Sequence, residues 1–360
     1  MANSTARLGD LATYINGYAF KPADWGDTGL PIIRIQDLTG NSYQLNRYDG
    51  EYPERIEVND GDVLISWSAS LGVYVWHRGK ALLNQHIFKV VFDKLPVNKD
   101  YFVFAVEHKL AEMESKTHGA TMKHIVKKDF DGTTIPYPPI EKQAEIADHL
   151  RHITSLIDRQ TEQLLLLDQL VKSRFIELFG DYDLTHPQES WVTIKEIGTV
   201  VGGATPKTDH DEYWGGSYRW ITPAELDVDS GYIYDSVRKL TKAGVESCSL
   251  QEMPVGTVIL SSRAPIGKVA IAGNTFYCNQ GFKNIICKEG ITPRYLYTVL
   301  LLNVEYLNSL GRGATFKEIS KGIVESIRIP VPSMDLQQQF ATFVEQTDKS
   351  KLCGKMEVAA

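Results

Sequence analysis

Cysteine is scarce in this 360-residue chain: four thiols (Cys248, Cys278, Cys287, Cys353) form no CxxC pair, and none has histidines at zinc-finger spacing. That scarcity excludes a disulfide framework and a structural zinc. Cys278 and Cys287, set in apolar strand-like segments, read as buried free thiols. Long apolar runs are missing too. The longest, such as Tyr295 to Leu302, fall far short of the roughly 20 residues that span a bilayer. Met1 to Leu11 has no basic stretch leading into an apolar core, so neither a membrane helix nor a secretory signal is expected, and the expected compartment is the cytoplasm. Positive charge is in deficit, with 38 Lys and Arg against 45 Asp and Glu, a net charge of −7. A simple polyanion binder carries the opposite balance, although binding depends on local potential rather than on the global sum.

Catalytic signatures are absent as well. No GxxxxGK loop offers a cradle for ATP, and no GxGxxG follows a strand. A DNA adenine methyltransferase needs Asn or Asp before Pro-Pro-Tyr or Pro-Pro-Phe, and Ile135 to Pro139 lacks both the leading polar residue and the order. Asp93 with Glu107-His108-Lys109 loosely mimics the D…ExK ligands of a nuclease, but this ExK falls in a predicted helix rather than on a strand. An enzyme is not expected.

What is present is an ordinary globular composition, 43% hydrophobic and 23% charged, long enough for two domains of about 150 residues plus connectors. The chain also repeats itself. Gly119-Ala120-Thr121-Met122-Lys123 and Ile135-Pro136-Tyr137-Pro138 return, at one spacing, as Gly313-Ala314-Thr315-Phe316-Lys317 and Ile329-Pro330-Val331-Pro332, an offset of 194 residues. Gly61 to Ser66 matches Gly256 to Ser261, Gly72 matches Gly267, and Asn84-Gln85 matches Asn279-Gln280, with one residue more of offset that a surface loop absorbs. Pro31 to Leu38 answers Tyr218 to Leu226. Each unit reads as short β-branched and aromatic strands between turn residues, in the first half Pro31 to Ile35, Val63 to Ser66, Val73 to Trp76 and Ile87 to Phe92. Helices are expected at Lys99 to Ser115 and Pro293 to Leu310.

From Glu141 to Phe179 there is neither Gly nor Pro, and good helix formers dominate. Ile146, Leu150, Ile153, Ile157, Leu164, Leu167, Val171, Phe175 and Leu178 recur at alternating steps of three and four, with Gln160 at one seam position, which predicts a coiled-coil stripe. At 1.5 Å per residue the helix spans roughly 55–60 Å, and Gly180 ends it. Met334 to Lys351 begins a second such helix, expected to pair antiparallel with the first. After Lys351 the chain runs only from Leu352 to Ala360, about 20 residues short of the first stripe on the same spacing, and Gly354 is expected to break it. Self-association through the uncovered part of the first helix is the expected consequence.

The second half then carries Gly202-Gly203-Ala204-Thr205-Pro206, Glu212-Tyr213-Trp214-Gly215-Gly216, Trp220-Ile221-Thr222-Pro223, Ser262-Arg263-Ala264-Pro265-Ile266-Gly267 and Asn279-Gln280-Gly281-Phe282. Pro138 to Gln143 enters the long helix as PPxxxQ, echoed at Pro332 to Gln337. These ordered motifs, over nearly the whole chain, resemble the DNA specificity subunits of type I restriction-modification systems. The resemblance implies an α+β fold with two β-rich target-recognition domains in a pseudo-two-fold arrangement, separated by long antiparallel coiled-coil helices. Domains are expected at 1–138 and 181–332, with spacer helices at 139–180 and 333–360. It further implies that each domain reads half of a split sequence in double-stranded DNA, that the helices act as a ruler and dock two methyltransferase subunits, and that restriction subunits join. S-adenosylmethionine and ATP are used by those partners, and this chain should bind no cofactor. The competing reading is a duplicated-domain adaptor that binds polypeptides.

Phosphate contacts position a reader and base-edge contacts specify. Lys116, Lys123, Lys127 and Lys128, with His118 and His124, form a segment without an acid, and Arg312, Lys317 and Lys321 hold the equivalent place next to Gly311 and Gly313. These are the expected phosphate clamps, a solvated loop being the alternative. Expected base readers are Gln36, Asp37, Ser66, Ser68, Ser70 and Gln85 in the first unit. In the second they are Thr222, Glu225, Ser262, Arg263, Lys268, Gln280 and Lys283. Arg263 suits guanine, and the amides of Gln85 and Gln280 suit adenine. Asn84-Gln85 and Asn279-Gln280 are equally readable as scaffold bonding the loop backbone, and their presence in both halves favours scaffold.

Overall fold

Runs of β-branched and aromatic residues between turns become strands because alternate side chains fill opposite faces of a pleated sheet. Val63 and Ile65 enter one core and Leu64 another, just as Val258 and Leu260 part from Ile259 in the second half. The computed structural model describes residues 4–41, 46–116, 127–226, 231–263, 265–313 and 317–359, the side chains of 112–116 and 354–359 excepted. The chain divides into two units, Met1–Asp158 and Arg159–Ala360.

In the first unit one sheet has the antiparallel order Thr13–Asn16, Ile87–Val91, Val63–Ser66, Gly72–Val75. The second unit repeats it as Gly198–Gly202, Lys283–Cys287, Val258–Leu260, Val269–Ala272, and adds Tyr232–Ile233 parallel to the last strand. A smaller sheet follows suit. Leu30–Ile33 lies between antiparallel Arg47–Tyr48 and parallel Ala81–Leu83, and Trp214–Ile221 lies between antiparallel Arg238–Leu240 and parallel Tyr277–Cys278. The sequence repeat is thus a repeat of topology, with strand ends within about two residues of expectation.

Helix α1 (Lys99–Lys116) covers the first unit's sheet through Phe102, Val106 and Leu110. Its counterpart, expected over Pro293 to Leu310, is split: α2 (Pro293–Leu302) stops at Asn303 and a further short helix spans Val304–Ser309. Asn303 donates to the Val299 carbonyl (2.9 Å) and accepts from the Leu184 amide (3.3 Å), so a tertiary partner sets the break. The long helix α3 (Ile140–Phe179) runs 40 residues unbroken. Gly180 ends it at φ +90, a left-handed conformation natural to glycine, with its N–H 2.8 Å from the Ile176 carbonyl. Helix α4 (Met334–Ala359) continues through Gly354, correcting the expected break: one helical glycine costs only about 1 kcal/mol relative to alanine.

Within the second unit α3 and α4 pair antiparallel. Phe175 meets Phe340 (ring centroids 5.3 Å) and Lys351 Nζ lies 2.5 Å from Asp168. Phe175, fully buried, also touches Phe179, Tyr182 and Tyr295. The apolar stripe is not evenly covered. Ile153 and Ile157 are 51% and 42% exposed, and Leu165, Leu166 and Leu170 are exposed beside it. Among the described residues no helix is long and apolar enough to cross a membrane.

Candidate nucleic-acid interface

The loops that could reach a duplex are held by side-chain ties that occur twice. Gln143 and Gln337, both fully buried, each anchor the start of a long helix. Gln143 accepts from the Asn98 amide (3.0 Å) and donates to the Pro138 carbonyl (2.8 Å). Gln337 accepts from the Thr292 amide (2.7 Å) and donates to the Pro332 and Gly290 carbonyls (2.9 and 3.1 Å). Tyr101 and Tyr295 donate to the carbonyls of Pro136 and Pro330. The hydroxyls of Ser66 and Ser261 close their own loops on the Ser70 and Pro265 carbonyls. Asn84 and Asn279 accept from the amides of Gln85 and Gly281, which makes the asparagines scaffold and leaves Gln85 and Gln280 exposed beside them.

On this frame the second unit gathers a basic cluster. Residues 262–263 are stitched to residues 318–319, and 318 to 312: Arg263 and Glu318 form a β-bridge, the Ile319 amide donates to the Ser262 carbonyl (2.9 Å), and Arg312 and Glu318 exchange backbone hydrogen bonds (3.1 and 3.0 Å). The Glu318 carboxylate accepts from Arg263 Nε (3.0 Å) and from Lys283 Nζ (3.1 Å), which also lies 3.3 Å from the Ser262 hydroxyl. Partial burial opposes ionisation of Glu318, but the bonds from Lys283 and Arg263 prevail and hold its carboxyl below the usual range. Arg312 and Lys317 are exposed on the same segment and Lys268 is half-buried. Two cations on one carboxylate, with Arg312 and Lys317 exposed on the same segment, give a locally positive surface on a chain of net charge −7. Guanidinium forks of this kind suit phosphate or the guanine edge.

Other expected site residues are differently placed. Asp37, 2% exposed, turns its carboxylate onto the amide and Nε of its own Arg34 (2.8 and 3.3 Å). Ser66 and Ser262 are fully buried. Glu225 is spent on the Thr222 amide and hydroxyl and on the Val237 amide. These correct the expectation of base contact, because a side chain that is fully buried, or whose acceptor oxygens are both taken by its own loop as in Glu225, has nothing left to offer a base edge. Gln36 and Ser70 are exposed, Ser68 is half-buried, and Gln280 accepts from Thr205 (2.5 Å). Lys127 pairs with Asp131 (2.9 Å), Lys128 is exposed, and Lys321 lies near Glu325 (3.6 Å). Lys123, His118, His124 and the side chain of Lys116 lie outside the described residues. Asp93 accepts from Thr13 (2.8 Å), and Glu107 to Lys109 lie in α1. Among the described residues no group of three or more His, Cys, Asp or Glu is arranged to hold a metal. Glu318 was missed in the sequence, its one signal being an acid next to Lys317.

The family model for the type I restriction modification DNA specificity domain matches twice, over residues 3–167 and 189–354. The chain belongs to this family. It is 43% identical over 185 residues to the type I restriction enzyme MjaIX specificity subunit of Methanocaldococcus jannaschii, covering 50% of this chain and 43% of that one. Against the EcoBI specificity subunit of Escherichia coli it is 29% identical over 168 residues, 46% of this chain and 35% of the relative. The match thus spans less than half the length of either of these two relatives. The MjaVIII specificity subunit of M. jannaschii matches at 24% identity over 95% of this chain and 85% of its own. Among solved structures, the type I restriction-modification S subunit from M. genitalium superposes with a TM-score of 0.60 at 14% identity, over 99% of this chain and 92% of that one, which shows a shared fold. Each match to the specificity-domain family model falls largely on one of the two units.

Proposed function

We propose that this chain is the DNA-reading subunit of a type I restriction-modification enzyme, with one target-recognition domain at 1–138 and another at 181–332, each reading half of a split duplex sequence. The observation that carries the reading is one DNA-specificity domain repeated in both units, with its scaffold ties intact and, in the second, a basic loop cluster beside them. Segments 139–180 and 333–360 serve as spacer helices. Methyl transfer and cleavage belong to methyltransferase and restriction subunits that use S-adenosylmethionine and ATP. This chain supplies recognition and no chemistry, in the cytoplasm where its DNA lies.

The open apolar side chains of α3, Ile153, Ile157, Leu165, Leu166 and Leu170 among them, form the surface for methyltransferase docking and, without those subunits, for self-association. A monodisperse monomer at high concentration in light scattering would refute the self-association. Mapping methylated sites after co-expression with the cognate methyltransferase should return a bipartite sequence, and replacing Trp191 to Pro332 with a relative's domain should change one half-site only. A change in both halves, or salt-insensitive binding to duplexes with the methyltransferase supplied, refutes the reading.

A further inference from the structure

We propose that Glu318 is a specificity-determining residue of the second unit: its carboxylate offsets one of the two positive charges of Arg263 and Lys283 and holds these side chains as base readers instead of phosphate clamps. This rests on the DNA-reading function proposed above.

The first support is geometric. Glu318 takes Arg263 on one oxygen and Lys283 on the other, and Arg263 remains 45% exposed at its side chain while Lys283 is 14% exposed. A guanidinium held through Nε keeps four N–H donors on its terminal nitrogens, the fork that matches guanine O6 and N7. Backbone bonds at Glu318 and Ile319 fix the main chain that carries the carboxylate. The geometry therefore aims Arg263 without consuming its outer face.

The second support comes from the repeat. Positions that hold the frame return unchanged in register: Ser66 and Ser261, Asn84 and Asn279, Gln143 and Gln337, Tyr101 and Tyr295. At the same offsets, Arg263, Lys283 and Glu318 are answered in the first unit by Ser68, Phe88 and His124. All three members change together where the frame around them does not. Two domains that read different half-sites must differ at the residues that read and agree at those that hold.

Physical reasoning assigns the division of labour. A bare cation beside a duplex goes to phosphate, which carries no sequence information. An ion-paired one gains little from counterion release and is left to be judged on hydrogen-bond fit. Arg312 and Lys317, exposed on the same segment and without a carboxylate partner among the described residues, supply the phosphate contacts.

The test uses the full chain, a target duplex selected from a random pool, and a scrambled duplex, with affinities measured across a potassium chloride series. Glu318→Gln keeps a hydrogen-bonding side chain but drops the charge. It should steepen the salt slope on the scrambled duplex by about 0.9, one more phosphate neutralised, and should lower the target-to-scramble ratio about ten-fold. Arg263→Gln should lower that ratio while leaving the scrambled slope unchanged, whereas Arg312→Gln should flatten the slope by about 0.9. A Glu318→Gln variant with wild-type slope and ratio overturns the proposal. So does an Arg263→Gln variant that flattens the slope as Arg312→Gln does, and this second result decides the matter if Glu318→Gln fails to fold. Salt-insensitive binding by the unmodified chain is a different outcome, which removes the DNA-reading function and this inference with it.

Discussion

Gln337→Ala should destabilise the second unit by about 3–4 kcal/mol, and the figure follows from counting what the side chain satisfies. Truncation strips a partner from the Thr292 amide and from the Pro332 and Gly290 carbonyls, and each buried polar group left unpaired costs about 1–3 kcal/mol. Taking slightly more than the low end for three groups, because Gly290, Thr292 and Pro332 are all half-buried and within reach of water, gives about 3–4 kcal/mol. For a unit of this size about 2–4 °C is lost per kcal/mol, so calorimetry of the full chain should show a transition lowered by about 10 °C. Gln143→Ala, which strips partners from two groups, should cost the first unit about 2–3 kcal/mol. Gln337→Glu adds a sign test. Glutamate keeps the acceptor for Thr292 but turns its second oxygen on two carbonyls, so the folded state favours the protonated acid and its pKa rises on folding. Stability is then retained in acid and lost as pH climbs through the folded pKa. A loss below about 1 kcal/mol for Gln337→Ala, or a Gln337→Glu variant indifferent to pH, would refute the reasoning that these glutamines anchor the helices.

Phe175→Ala should cost about 3–5 kcal/mol in denaturant titration, because the ring is fully buried among Phe179, Tyr182, Tyr295 and Phe340. Thiol labelling of the native chain at neutral pH should modify Cys353, which is exposed, and spare Cys278 and Cys287, whose thiols burial pushes up to about 12; all four should label after unfolding. Asp183 is held at about 2 by hydrogen bonds from the Thr185 hydroxyl, His186 and the Thr185 amide. Its folded pKa is depressed, so its contribution is present above the ordinary carboxylate range and fades as pH falls toward 2, and Asp183→Asn should flatten that part of the acid-unfolding curve.

Much of the fold was legible because its signals are local or internal. The duplicate spacing needs no knowledge of contacts, the missing glycine and proline between 141 and 179 leave α3 nothing to stop it, and Gly180 supplies its end. What sequence reading lost depends on partners distant in the chain. Asn303 breaks the second-unit helix because the Leu184 amide is there to be accepted, and no pattern within 293–310 reveals that. Asp37, Ser66 and Ser262 looked like readers because a polar residue at a strand end carries the same signal whether it faces solvent or closes its own loop. Glu318 was overlooked for the opposite reason, since an acid in a basic segment reads as dilution of charge rather than as its organiser.

The acidic balance of the chain also acquires a physical place. On the proposed function the useful quantity is the ratio of target to competing affinity rather than affinity itself, because non-target sites vastly outnumber targets. Phosphate attraction raises both equally. A chain of net charge −7 that leaves Arg312 and Lys317 bare beside Arg263 and Lys283, which share Glu318, would lower the sequence-independent part while keeping donors for bases. Each unit then contributes little binding alone, and tight association requires both half-sites to be correct. Adding charge anywhere on the reading loops should therefore tighten binding and blunt discrimination together, which makes the ratio, measured at fixed salt, the quantity on which these residues are to be compared.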